Sequence, residues 1–194
     1  MGELQSIHDL AQPTLPYRID YSNPEAKKSF SEHLFQALLT LAPCREIVCI
    51  CIGTDRSTGD SLGPLVGSLL AKDAPSHIHV YGTLDEPVHA LNLQSTIQHV
   101  QKHHPDARII AVDACLGQYK NVGLIQVGLG PVRPGAGVNK NLPEIGQVHV
   151  TGIVNVSGFM EYFVLQNTRL SLVMKMAEVI SDSILHASKQ LQVS

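Results

Sequence analysis

The chain has 194 residues, of which 44% are apolar and 16% charged, and its formal charge is -3. That length suits one domain burying about 70% of its unfolded surface, and the composition excludes a disordered or collagen-like chain. The small acidic excess offers no general attraction to nucleic acid or to an anionic membrane, so neither is an expected partner.

Residues 1–24 carry Pro13, Pro16 and Pro24 among scattered polar residues, and they read as an amino-terminal arm preceding a single domain over 25–194. No apolar run approaches the roughly 20 residues that span a bilayer, and no basic region followed by an apolar core opens the chain. A soluble, cytoplasmic protein is expected. Cys44, Cys49, Cys51 and Cys115 lack CxxC spacing and read as reduced thiols.

Beyond Pro24, the residues Phe30, Leu34, Ala37, Leu38 and Leu41 recur at helical spacing, and Pro43 marks a stop. The apolar run from Ile47 to Ile52 predicts a parallel strand buried on both faces. Alternation then continues with a helix over 64–72, a strand near 77–81, a helix near 88–103 and a strand over 108–113. Next come a strand over 122–127, a Gly/Pro-rich stretch over 128–146 and a strand over 148–154. A helical pattern over 158–189 closes the chain, with Leu170, Val173, Met174, Ala177, Ile180 and Ile184 on one stripe. This order predicts a three-layer α/β/α domain with a mostly parallel sheet, whose function gathers at the carboxyl ends of its strands.

The densest chemical signal follows the first such strand, from Gly53 through Thr54, Asp55, Arg56, Ser57, Thr58, Gly59, Asp60 and Ser61 to Pro64. Pro64 fits the first position of a helix, which sets Asp60 beside the positive end of its dipole. Asp113 closes the apolar run 108–112, where an unpartnered charge is costly to bury. If the two strands are neighbours, Asp60 and Asp113 meet over one cleft, and paired carboxyls push their proton affinities apart. Such a pair can activate water by general acid/base chemistry.

The loop Pro134, Gly135, Ala136, Gly137, Val138, Asn139, Lys140 permits close backbone approach to a ligand, and Arg133 and Lys140 could meet a carbonyl or carboxylate. Gly59-Asp60-Ser61-Leu62 spells a serine-esterase tetrapeptide, but it stands six residues beyond Gly53, and Asp182 to His186 has the wrong spacing for the remaining partners. No GxGxxG follows a first strand, and GxxxxGK[ST] is absent. His77, His79, His103 and His104 read as surface or helix-terminal histidines without an HExxH or Cys/His cluster.

The run Cys51 to Gly67, the loop Pro134 to Lys140, and the segments Thr151 to Val156 and Gly158 to Gln166 together resemble the YyaC family of sporulation proteins. That family is similar to the germination protease, an atypical aspartic endopeptidase that degrades small acid-soluble spore proteins. The resemblance implies catalytic roles for Asp60 and Asp113. A more distant resemblance to the hydrogenase-maturation endopeptidases implies a phosphorylase/hydrolase-like fold. Those enzymes hold nickel with a Glu, an Asp and a His; Asp60 stands in the place of the Glu, Asp113 in that of the Asp, and His149 is the nearest candidate for the His.

The combined expectation is a cytoplasmic peptidase of a spore-forming bacterium acting on a protein or peptide, with small acid-soluble spore proteins as candidate substrates. Thr54, Asp55, Arg56, Ser57, Pro134, Gly135, Gly137, Asn139 and Lys140 are expected to shape its substrate site. No cofactor is expected, a divalent metal at Asp60 and Asp113 being the alternative, and a homo-oligomer is compatible with the reading. The alternatives are a non-catalytic sporulation binding or assembly protein that keeps the fold, and a GDSL-type serine esterase using Ser61.

Overall fold

The structure, a computed structural model, describes residues 14–135 and 142–193. Its elements are β1 (Tyr17–Asp20), α1 (Ala26–Leu39), β2 (Ile47–Cys51), α2 (Leu62–Asp73), β3 (Ile78–Tyr81), α3 (Leu93–His103) and β4 (Arg108–Gly117). They are followed by β5 (Leu124–Leu129), β6 (Val148–Val156), α4 (Glu161–Gln166) and α5 (Leu170–Val193). The strands form one sheet in the order β1-β5-β6-β4-β2-β3. The β2–β3, β2–β4 and β4–β6 pairings are parallel, whereas β5 runs antiparallel to both β1 and β6.

The two faces of β2 explain the layers. Ile47, Cys49 and Cys51 point into a core shared with Phe30, Leu34 and Leu38 of α1, Leu70 of α2 and Met176 and Ile180 of α5. Val48 and Ile50, on the other face, pack with Leu93, Ile97 and Val100 of α3 and with Val132 and Ile145 of the Gly/Pro-rich loop. Both faces are therefore covered, and each large side chain fully buried between them contributes about 1.5–3 kcal/mol. Among the described residues no helix is long and apolar enough to cross a membrane.

Chain direction turns at one place in this sheet. β3 lies on one side of β2, and after α3 the chain returns to form β4 on the other side. The carboxyl ends of β2 and β4 thus flank a topological switch point, where an open α/β sheet leaves a crevice.

Several elements depart from the sequence pattern. Residues 17–20, placed in the loose arm, form an edge strand; Tyr17 hydrogen-bonds Ser29 at 2.6 Å and its ring stacks on His33 at 3.6 Å. α3 starts at Leu93 rather than near 88, because Val88 bridges to Ile52 and the Asn92 amide closes the preceding turn. In that turn the His89 N–H donates to Asn92 Oδ1 and Asn92 Nδ2 donates to the Pro87 carbonyl. β4 continues past Asp113 to Gly117 because β6 runs beside it, with a register shift between Cys115 and Leu116. The closing helical pattern is two helices, α4 and α5.

Candidate active site at the carboxyl ends of β2 and β4

The β2–β4 ladder ends at the Cys51 and Val112 pair, and the Ile52 N–H still donates to the Val112 carbonyl at 2.7 Å. Asp113 is the next residue of β4, so the turn leaving β2 lies against it instead of a strand. That turn folds back on itself: the Gly53 N–H donates to Val88 at 2.8 Å and the Thr54 N–H to the Asp60 carbonyl at 3.1 Å. Gly53 has φ +144°, and a Cβ there would stand 1.9 Å from the Asp60 carbonyl oxygen, so a side chain would break this closure.

Asp60 sits in a 3-10 turn, Gly59–Ser61, that runs directly into α2. The helix begins at Leu62, making Pro64 its third residue rather than its first. Gly63 lets this first turn press onto β2, since a Cβ would fall 2.1 Å from the Ile52 carbonyl oxygen. The sequence placed Asp60 at the helix amino terminus, and the structure agrees.

Asp113 is 8% exposed, and its Oδ1 accepts the Ala114 N–H at 2.9 Å. Burial first, and the charge of Asp60 second, push its carboxyl well above the usual carboxylate range; the Ala114 bond opposes them. The two acids are therefore close enough to couple. Cys115, two residues further on, is held as a thiol: burial and then Asp113 raise its pKa to about 11, although Thr151 and Arg18 pull it down. It is no thiolate nucleophile at neutral pH.

The other expected site residues divide. Thr54 is half-buried and its Oγ1 accepts the Arg56 N–H at 3.3 Å, whereas Asp55 and Arg56 are exposed at the loop tip. Ser57 is buried, and its hydroxyl is shut from solvent without a protein partner. Pro134 is buried and Gly135 takes φ +74°, in a loop clipped to the sheet face by the Val132–Ile145 bridge. Gly137, Asn139 and Lys140 lie outside the described residues. Arg133, offered by the sequence as a carbonyl contact, is engaged with Glu144 at 2.6 Å.

Ser61 does not look like an esterase nucleophile: it is buried, and its Oγ donates to the Thr58 carbonyl at 2.6 Å. His149 does not complete a metal site with the two acids. It pairs in register with Ala111, and its ring nitrogens are already placed beside Gln126 at 3.2 Å and the Gly130 carbonyl at 3.1 Å. The residues present therefore do not fit a three-ligand nickel site here.

Some neighbours carried no individual signal in the sequence. Thr151 stands opposite Asp113 in the β4–β6 ladder. Asn155 Nδ2 donates to the Val164 carbonyl and to Thr168 Oγ1, both at 3.1 Å, tying α4 to the sheet. A Cβ on Gly59 would meet Leu165 and Thr168 within 2.9 Å, so α4 also leans on the Asp60 turn. Polar Thr151 and Asn155, in a strand where His149 is the one other polar side chain, were the available clue. Next to this junction Phe159, Tyr162 and Phe163 present exposed rings, Phe159 being 91% exposed. A cleft of about 440 Å³ opens at the end of β3 between Tyr81, Gly82, Glu86, Val88, His89 and Thr96, on the strand next to Gly53.

Residues 18–183 match the protein family described as "Protein of unknown function (DUF1256)". The chain is 52% identical over 174 residues to a Bacillus subtilis (strain 168) protein described as "Uncharacterized protein YyaC", covering 90% of this chain and 84% of that protein. A solved structure of a [NiFe] hydrogenase maturation protease, HycI from Thermococcus kodakarensis KOD1, is similar at a TM-score of 0.47 and 16% identity, over 75% of this chain and 93% of that one.

Proposed function

The chain belongs to the DUF1256 family, and within it we propose a hydrolase that cleaves peptide bonds with water activated between Asp60 and Asp113. One observation carries the reading: a buried carboxyl that favours its proton, beside a second carboxyl, at the switch point of the sheet. A group that holds its proton near neutral pH can give it to a carbonyl oxygen, and its partner can take one from water.

In the proposed step Asp60 accepts a proton from water as the water oxygen bonds to the scissile carbonyl carbon, and Asp113 donates its proton to the carbonyl oxygen. The tetrahedral diol then returns one hydroxyl proton to Asp113. Asp60 gives its proton to the nitrogen, and the C–N bond breaks to leave an acid and an amine. Thr54, whose N–H donates to the Asp60 carbonyl, holds the turn that carries Asp60, and the cleft at the end of β3 gives an extended chain a path past Gly53. No step in this scheme uses Ser61 or Cys115.

The sequence resemblance to sporulation proteins and to the germination protease makes a small acid-soluble spore protein, met in the cytoplasm, the first substrate to try. Intact-mass analysis after incubation with wild type, Asp60→Asn and Asp113→Asn, with and without divalent metal, tests it. Defined fragments from wild type alone support the reading, while equal fragments from either variant sink it. The exposed rings on α4 favour a second reading, a binding protein without catalysis. Absence of fragments, together with stoichiometric partner capture unaffected by both Asn substitutions, would favour that one.

A further inference from the structure

Two histidines outside the candidate active site, His79 and His104, meet at the other end of the sheet. Glu46 immediately precedes β2, His79 lies on β3 in register with Val48, and His104 caps the carboxyl end of α3. His104 Nδ1 stands 3.3 Å from Glu46 Oε2, and His79 Nε2 stands 4.0 Å from the same oxygen. All three donor atoms fall within 4.8 Å of one another. Among the described residues no other trio of His, Cys, Asp or Glu converges in this way.

We propose that Glu46, His79 and His104 bind a divalent transition-metal ion of the zinc type, with water in the remaining position. Two imidazoles and one carboxylate form a donor set that suits zinc, nickel or cobalt better than magnesium or calcium. With bonds of about 2.1 Å, tetrahedral donors are separated by about 3.4 Å, so closing the widest gap takes less than about 1.5 Å of side-chain movement.

Two features separate this cluster from an ordinary ion pair. His79 Nε2 is shielded from solvent and has no hydrogen-bond partner, and 4.0 Å is too long for one to Glu46. A lone pair so placed costs stability unless something meets it. The rings of His79 and His104 also lie 4.1 Å apart, so two imidazoles converge on one carboxylate. A metal ion satisfies both neutral rings and the carboxylate at once.

The surroundings fit this assignment. Tyr81 Oη lies 3.0 Å from His104 Nε2 and can accept its proton, which leaves Nδ1 free to ligate. An ion here would fasten the edge strand β3 to the lead-in of β2 and to the corner between α3 and β4. Its location at the amino ends of the strands makes it independent of Asp60 and Asp113.

The test is isothermal titration of the untagged full chain with zinc chloride, with magnesium chloride as control and thermal unfolding recorded in parallel. Wild type is expected to bind one zinc ion and to gain thermal stability from it. Removing an outer hydrogen-bond partner costs about 10–100-fold in affinity, so Tyr81→Phe should weaken binding by about 10-fold and His79→Gln/His104→Gln by at least about 100-fold. Glu46→Gln, at an exposed position, gives a second loss without disturbing a strand. Asp60→Asn/Asp113→Asn and His99→Gln/His103→Gln should bind as wild type does. No zinc uptake by wild type, or uptake that survives His79→Gln/His104→Gln in a folded chain, overturns the proposal and leaves a proton-shared ion pair.

Discussion

Asp60 stands near enough to the buried Asp113 for its charge to raise the Asp113 carboxyl, an effect second only to burial itself. A turn leaving one strand thereby controls the proton of a residue on the next. Because the folded pKa exceeds the unfolded one, the native state holds more protons than the unfolded chain between the two values, and stability falls as pH rises through that interval. Asp113→Asn removes this penalty. Its melting temperature should exceed that of wild type at pH 8, with the difference shrinking as pH falls through the raised Asp113 pKa and gone below about pH 4; the reverse trend would show that Asp113 is ionised and paired.

Asp60→Asn removes the charge but keeps the shape. The Asp113 carboxyl should then titrate at lower pH than in wild type, which NMR of a carbon-13-labelled side chain reads directly. Peptide hydrolysis should fall by at least about 100-fold, the lower end of what a general acid or base contributes.

Gly63→Ala tests how the turn is held. The new Cβ would meet backbone, 2.1 Å from the Ile52 carbonyl oxygen, so the first turn of α2 must move. Overpacking of this kind costs about 1–3 kcal/mol, and hydrolysis should drop further than the stability loss accounts for, because Asp60 moves too. Urea unfolding and initial rates on the same samples measure both.

Cys115 lies beside the acids yet should take no part. With its pKa at about 11, roughly one thiol in a thousand is ionised at pH 8. Iodoacetamide should label it slowly in the native protein and quickly in urea, and treated native protein should keep its activity. Rapid native labelling followed by mass mapping would contradict the assignment.

Phe159→Ala/Tyr162→Ala addresses the exposed rings. Both side chains stand largely in solvent, so stability should shift by less than about 0.5 kcal/mol per substitution. If the ridge receives substrate, KM for a protein substrate rises while short peptides are unaffected; an equal change in both would remove the ridge from recognition.

Periodicity and composition were enough to read the helices and strands from Ala26 to Val156, because buried strands such as 47–51 and amphipathic helices such as 26–39 are coded by neighbours in the chain. Asp113 stood out locally as an acid closing an apolar run, and Asp60 as an acid in a polar turn just ahead of a helix start. Whether they met depended on strand order, and only the return of the chain across β2 made β2 and β4 neighbours. The same long-range pairing turned residues 17–20 into an edge strand and extended β4 past Asp113. It also engaged Arg133 with Glu144. Glu46, His79 and His104 gave no shared sequence signal, since no local spacing links three residues from separate elements. Their convergence is a property of the sheet and the corner that closes it, for contacts between distant segments are fixed by packing and loop closure rather than by local pattern.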